Sequence, residues 1–314
     1  MGYFEKGVLK LIHKVFTGAN TDFYKARELN PEYAKAYYNS GNAKVKLQDY
    51  TGAIEDYTKA IALNPEYAYA YYSRGIAKKE LKDNTGAIED YTKAITLNPE
   101  DADSYNNRGN VKNALQDYIG AITDFTKAIE LNPDYSKAYN NRGNTKVKLQ
   151  DYTGAIADYT KTIELNPEEA KAYYNRGLAK KELKDYAGAI EDCTKAIVLN
   201  PDLTEAYINR GNVKNALQDY TGAIADYTKA IALNPEYTKV YFNRGNAKAN
   251  LQDYIGAIAD YTKEITLDPE YAYAYYNRGL AKYDLKILGA CNDWIKAGEL
   301  GHTKAFDWIK KYCQ

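Results

Sequence analysis

The sequence predicts an all-α solenoid of repeated helix hairpins, and three observations predict it. All eight prolines recur every 34 residues, at Pro31, Pro65, Pro99, Pro133, Pro167, Pro201, Pro235 and Pro269. A glycine follows each proline by ten residues, at Gly41, Gly75, Gly109, Gly143, Gly177, Gly211, Gly245 and Gly279. Between these markers apolar and small residues return at steps of three and four, the spacing of one helix face. A unit of this length cannot bury its own apolar face, so stacked neighbours must complete each core.

Residues 34–67 show one unit. "AKAYYNSGNAKVKL" puts Tyr37, Gly41, Lys44 and Leu47 on one stripe of a first helix. "GAIEDYTKAIAL" stacks Ala53, Tyr57, Ala60 and Ile61 on a second, with the polar turn "QDY" between the two. Asn64 ends the second helix because the residue before a proline is pushed out of the helical region. Gly41, Ala53 and Ala60 permit close approach, and Tyr37, Tyr50 and Tyr57 fill the gaps. This order of aromatic, glycine, alanine, aromatic, alanine and proline resembles the tetratricopeptide repeat (TPR), and the resemblance covers nearly the whole chain. It implies a right-handed superhelix of antiparallel hairpins whose first helices line a concave side, with no enzymatic activity and no cofactor.

In chain order, residues 1–33 are a divergent first repeat or N-terminal cap, in which Tyr3, Gly7, Phe16, Ala19, Phe23, Ala26 and Pro31 keep the frame. Seven regular repeats follow, at 34–67, 68–101, 102–135, 136–169, 170–203, 204–237 and 238–271. A shortened repeat, 272–301, carries Trp294 in the aromatic column, and 302–314 forms a capping helix with Phe306, Ile309 and Trp308 expected to face inward.

Two charged columns lie beside the core. Arg74, Arg108, Arg142, Arg176, Arg210, Arg244 and Arg278 precede glycines, and Asp56, Asp90, Asp124, Asp158, Asp192, Asp226 and Asp260 recur in second helices. Buried unpaired charge is costly, so Arg–Asp pairing within each hairpin is expected, with Ser40 breaking the pattern opposite Asp56. The lysine column from Lys44 to Lys282 is expected to lay its stems on the core and keep its heads in water. Thr162 and Glu264 replace a small alanine and are expected to loosen their joints.

Composition narrows the function. With 42 basic and 42 acidic residues, a nucleic-acid binder working through phosphate neutralisation is not expected. Single-stranded RNA reading by helical repeats is the minor form of that idea. Cys193, Cys291 and Cys313 show no CxxC spacing, which points to unpaired thiols and a reducing, cytoplasmic setting, with Cys193 an inert buried thiol. His13 and His302 stand near opposite ends, and no metal site is expected. No apolar run is long enough to span a membrane.

Binding is expected on the open side of the first helices. One column there reads Asn39, Asn107, Asn141, Asn175, Asn209, Asn243 and Asn277, and a second reads Asn42, Asn110, Asn144, Asn212 and Asn246, interrupted by Ile76, Leu178 and Leu280. Asparagine is a weak helix former, yet its amide both donates and accepts, as a peptide backbone requires. The alternative is that these amides brace neighbouring helices. Tyr38, Tyr72, Tyr174, Phe242 and Tyr276 flank the ladder, with Lys35, Lys137, Lys171 and Lys239, which suits an extended and acidic protein or peptide. In the first repeat Phe4, Val8, Leu11 and Ile12 form an apolar stripe expected to serve self-association, helix docking or capping. The leading function is therefore an adaptor holding an extended peptide. The alternative is a self-assembling or engineered array without a natural peptide ligand.

Finally, "NRGNVKNALQDY" occurs at Asn107–Tyr118 and again at Asn209–Tyr220, which defines a 102-residue block of three repeats. Duplication explains such a block; a pocket offered at every third repeat is the functional alternative.

Overall fold

The computed structural model describes residues 2–313, which fall into two units, 2–165 and 166–313. The first unit is five antiparallel hairpins: α1 (Tyr3–Ile12) with α2 (Phe16–Leu29), α3 (Ala34–Lys46) with α4 (Tyr50–Leu63), α5 (Ala68–Glu80) with α6 (Asn84–Leu97), α7 (Ala102–Ala114) with α8 (Tyr118–Leu131), and α9 (Ser136–Lys148) with α10 (Tyr152–Leu165). The second holds α11 (Ala170–Glu182) with α12 (Tyr186–Leu199), α13 (Thr204–Ala216) with α14 (Tyr220–Leu233), α15 (Val240–Asn250) with α16 (Tyr254–Leu267), α17 (Ala272–Asp284) with α18 (Ala290–Glu299), and the terminal α19 (Lys304–Tyr312). No strand occurs among the described residues, and none of their helices is long and apolar enough to cross a membrane.

Local signals set the helix ends. In the turn of each regular hairpin one non-glycine residue takes a left-handed conformation, such as Gln48 at φ 61° and Lys184 at φ 62°. The aspartate that follows caps the second helix, as where Asp49 accepts the Gly52 N–H at 2.9 Å. At the far end Asn64 is extended, and its side chain accepts the Glu66 N–H across Pro65.

Packing rests on small residues. A Cβ added at Gly41 would lie 2.6 Å from the Tyr57 ring, and one at Gly211 would lie 2.8 Å from the Tyr227 ring. Ala36, Ala43, Ala53 and Ala60 are fully buried, as are their counterparts Ala206, Ala247, Ala223 and Ala230 in the second unit. Leu47 does not share this burial, contrary to the sequence reading. It is 43% exposed, and Leu81, Leu115, Leu149, Leu183, Leu217 and Leu251 are exposed like it. Each sits at the C-cap of a first helix, where the chain is already turning away from the core.

The charged columns form three-membered clusters rather than pairs. Asp90 accepts from Arg74 at 2.7 Å and from Lys78 at 2.9 Å, and the same triad recurs at Arg108–Asp124–Lys112 and Arg244–Asp260–Lys248. The lysine heads are therefore not in water: the Lys44 side chain is 15% exposed and bonds Asp56 and the Gly52 carbonyl. The aspartates are nearly fully buried, so each needs both cations. Arg74 also donates to Thr58 of the preceding repeat, which ties neighbours together. Where Ser40 replaces the arginine, Arg27 reaches Asp56 from α2, and the Ser40 hydroxyl donates to the same carboxylate at 2.6 Å.

The two large substitutions in the alanine column behave differently. Thr162 is buried and returns its hydroxyl to the Asp158 carbonyl. Glu264 is fully buried, and both its oxygens accept the Lys239 N–H at 2.8 and 2.7 Å. Lys239 takes φ 67°, and α15 has 11 residues where α13 and α17 have 13. The longer acidic side chain thus displaces the first turn of α15 and caps what remains.

At the C-terminus, Trp294 is fully buried, with the Trp308 ring at 5.0 Å and the Tyr283 ring at 5.8 Å. Ile309 and Trp308 pack inward, but Phe306 is 56% exposed, because Ala305 takes the buried position of the first turn. Cys291 and Cys313 form a disulfide with their Cα atoms 5.6 Å apart. This overturns the expectation of unpaired thiols and removes the ground for inferring a reducing compartment. The pairing arises because α19 folds back on α18, a contact that cysteine spacing does not encode. Cys193 is a free buried thiol, and burial pushes it up to about 12.

Gly211→Ala is expected to cost about 1–3 kcal/mol by overpacking. Gly177→Ala faces Cys193 instead of a ring, with its nearest contacts at 3.2 Å, and should cost less. Urea midpoints of the two variants measure the difference, and equal losses would refute the ring contact as the cause. Burial pushes the Glu264 carboxyl above the usual carboxylate range, against the pull of the Lys239 N–H. A raised folded pKa means that the folded chain holds this proton more tightly. The stability that the group contributes is full below the unfolded value, about 4.3, and is lost as pH rises through the folded one. The stability advantage of Glu264→Gln over the parent should therefore grow from pH 4 to pH 7; a flat difference counts against an ionised, desolvated Glu264.

Candidate functional site

The first helices carry the asparagine columns, and the structure gives most of these amides partners inside the chain. In the second column the carboxamide oxygen accepts the hydroxyl of the core tyrosine of its own hairpin at 2.8 Å: Tyr57 to Asn42, Tyr159 to Asn144, Tyr227 to Asn212 and Tyr261 to Asn246. Burial pushes those four tyrosines above their ordinary pKa, so they remain protonated donors. In the first column the amide nitrogen reaches back to the preceding repeat. Asn243 donates to Asn212 at 3.2 Å, Asn277 to Asn246 at 2.8 Å, Asn141 to Asn106 at 3.0 Å and Asn107 to the Tyr72 hydroxyl at 2.9 Å. Asn39 bonds the Lys35 carbonyl of its own helix. At Asn212 and Asn246 the ladder is thus a chain of tyrosine, asparagine and asparagine that locks one repeat to the next.

Four further asparagines lie on these helices. Asn110 lies in the register of Asn42 but opposite Phe125, which has no hydroxyl to offer. The Asn209 amide nitrogen and the Asn215 amide oxygen are buried and have no hydrogen-bond partner among the described residues. Asn175 is half-buried on α11.

The flanking aromatic residues are half-buried packing groups. Tyr38 has the Tyr57 ring at 5.9 Å and the Tyr67 ring at 4.9 Å, and Phe242 is placed likewise between Tyr261 and Tyr271. Tyr72 packs on Tyr91, Tyr174 on the cluster of Ala196, Leu203 and Ala206, and Tyr276 stacks on His302 at 4.1 Å. Lys35, Lys137, Lys171 and Lys239 are all exposed, and Lys239 holds its ammonium 5.9 Å from the Tyr271 ring. In the first repeat Phe4, Val8 and Leu11 pack against Ala19, Phe23 and Ala43, so the apolar surface that α1 leaves open is Ile12, 66% exposed, and Leu9, 40% exposed.

Among the described residues, consecutive first helices enclose a cleft in each unit. In the first unit α1, α3 and α5 bring together Leu11, Asn42, Val45, Lys46, Ser73 and Ile76 around about 260 Å³. In the second, α13, α15 and α17 bring together Asn215, Asn246, Asn250, Asn277, Leu280 and Asp284 around about 470 Å³. Sequence reasoning missed Val45, Asn215, Asn250 and Asp284 as cleft residues. The signal available was their place one and two turns beyond the ladder on the same face. Asp284 also places a negative charge where an acidic partner had been expected.

Family models described as TPR repeat match residues 41–82, 77–115, 143–184 and 211–252, and others described as tetratricopeptide repeat match 102–135, 125–157, 170–203 and 238–271. The chain belongs to the tetratricopeptide repeat family. Among solved structures it is similar to YrrB, described as a TPR protein with an unusual peptide-binding site, at 28% identity and TM-score 0.52 over 59% of this chain and 95% of that one. It is similar also to the MamA protein, at 28% identity and TM-score 0.51 over 54% of this chain and 93% of that one. A tetratricopeptide repeat protein from Parabacteroides merdae, at 21% identity and TM-score 0.56 over 80% of this chain and 96% of that one, shares the fold. No curated protein matches the chain.

If the tyrosine–asparagine bond braces the stack, Asn246→Ala should cost about 1–3 kcal/mol, because it leaves the Tyr261 hydroxyl buried without an acceptor. Combined with Tyr261→Phe, the loss should fall short of the sum of the two single losses by about 1 kcal/mol. Chemical denaturation of the four proteins measures this, and strict additivity would show that the bond contributes nothing.

Proposed function

We propose that this chain is a non-enzymatic interaction scaffold that holds an extended peptide or an unfolded protein tail along its first helices. The observation that carries the reading is the convergence of consecutive first helices on amide-lined clefts, in which a peptide backbone finds both donors and acceptors. Asn277 gives an amide hydrogen to Asn246 while lining the second cleft, so bracing the stack and meeting a ligand are compatible roles for one side chain. The likeness to YrrB, itself described by its peptide-binding site, supports the same reading. The buried aspartates of the repeated column support a non-enzymatic scaffold as well, since those such as Asp124 and Asp226 are each paired to an arginine and a lysine that the fold requires. Tyr72, Phe242 and Tyr276 would frame the peptide, and exposed Lys35, Lys137 and Lys171 would favour acidic side chains beside it.

Asn110 and Asn215 test this best, because loss of their side chains breaks no hydrogen bond of the fold shown here. Asn110→Ala with Asn215→Ala should strip partners captured from a lysate while leaving the helical circular-dichroism signal unchanged. Identical captured sets from parent and variant would sink the groove.

A further inference from the structure

The two clefts occupy the same place in the repeat. Adding 204, twice the 102-residue block, to Leu11, Asn42, Lys46, Tyr57, Ser73 and Ile76 gives Asn215, Asn246, Asn250, Tyr261, Asn277 and Leu280, and every one of these lines the second cleft. The two clefts share a further feature. In both clefts the last contributing helix carries an aliphatic residue, Ile76 or Leu280, at the register where other repeats have the asparagine that serves the core tyrosine. The corresponding core groups, the Tyr91 hydroxyl and the Trp294 ring nitrogen, are buried and have no partner among the described residues. Burying a polar group without a partner is costly, so both sites forgo stability that an asparagine restores elsewhere.

The lining of the two clefts is not alike. Leu11 and Val45 make the first apolar, whereas Asn215 and Ala249 stand at those positions in the second. Lys46 makes no ion pair among the described residues and puts a positive charge at the first cleft, where the second has neutral Asn250. The acidic position inverts in turn. Glu80 is held by Lys79 at 3.2 Å and stays out of the first cleft. Its counterpart Asp284 lines the second, with Tyr283 where Lys79 would neutralise it.

We propose that the chain carries two peptide sites of opposite charge preference. The cleft of α1, α3 and α5 takes an aliphatic side chain next to a carboxylate, and the cleft of α13, α15 and α17 takes a polar segment bearing a lysine or arginine. The proposal rests on the peptide-groove reading and adds selectivity to it.

Two acetylated, amidated hexapeptides serve as probes in NMR titrations of the full chain, one centred on leucine–aspartate and the other on glutamine–lysine. Lys46→Glu should weaken the acidic probe about fivefold to tenfold, the scale of reversing one exposed charge contact, and leave the basic probe unchanged. Asp284→Lys should do the converse. Ile76→Asn should lower affinity for the acidic probe while raising the thermal midpoint, because the Tyr91 hydroxyl gains an acceptor. Charge reversals that move both probes alike, or neither, overturn the proposal, as does absence of saturable binding by either probe at millimolar concentration. Partner capture that survives both charge reversals but fails on Asn110→Ala with Asn215→Ala would remove the selectivity alone and leave the groove standing.

Discussion

Each hairpin is set by the distance at which its two helices meet, and in all the hairpins but α11–α12 that distance is fixed by an aromatic ring lying on a bare glycine Cα. With the Tyr57 ring where a Cβ of residue 41 would have to sit, the two helices have one fit, and the ring spans the gap that alanines alone would leave. The tyrosine hydroxyl then emerges on the far side of the first helix and must find an acceptor there. Asn42 supplies it, and the next repeat's amide completes the bond network where the register allows, as with Asn277 on Asn246. Core packing and the polar ladder are thus consequences of one contact. An aromatic residue with a hydroxyl demands an asparagine fifteen residues earlier, and Phe125 releases Asn110 from that demand.

The charged triads extend the same logic to the other side of the hairpin. A buried aspartate held by arginine and lysine joins the two helices of one unit, and the arginine's bond to a threonine of the preceding repeat joins one unit to the next. Because these links are nearest-neighbour, a defect is repaired locally. Arg27 replaces the guanidinium that Ser40 lacks, and Glu264 caps the helix that it shortens. Nearest-neighbour coupling is also what lets a three-repeat block be copied without redesigning the chain.

The period, the hairpins, the glycine–aromatic contact and the Arg–Asp pairs were legible in the sequence because each is fixed by spacing within one repeat. What stayed hidden depends on partners across repeats or beyond the period. The lysine column reads as amphipathic, and only the geometry shows that its heads close on the aspartates. Leu47 fits a core stripe on a helical wheel, yet it falls at a helix end that has turned outward. Cys291 and Cys313 lie 22 residues apart in a segment whose register is one residue short, so no spacing rule pairs them. For the candidate site, the columns were legible as a face but not their hydrogen bonds, since an asparagine that braces and one that recognises look the same in a sequence.

That ambiguity bears on how a stacked array acquires selectivity. Positions engaged in the tyrosine–asparagine network are costly to change, because replacing one leaves a buried hydroxyl behind. The positions outside the network are the ones that differ between the clefts, and the proposed selectivity falls on them: Leu11 against Asn215, Val45 against Ala249, Lys46 against Asn250. Ile76 and Leu280 show the limit of the rule, for there the network itself gives way and an orphaned polar group remains in the core beneath. A stack that tolerates that cost at equivalent places, while inverting the charge beside them, keeps its frame constant and varies only what a passing chain would touch.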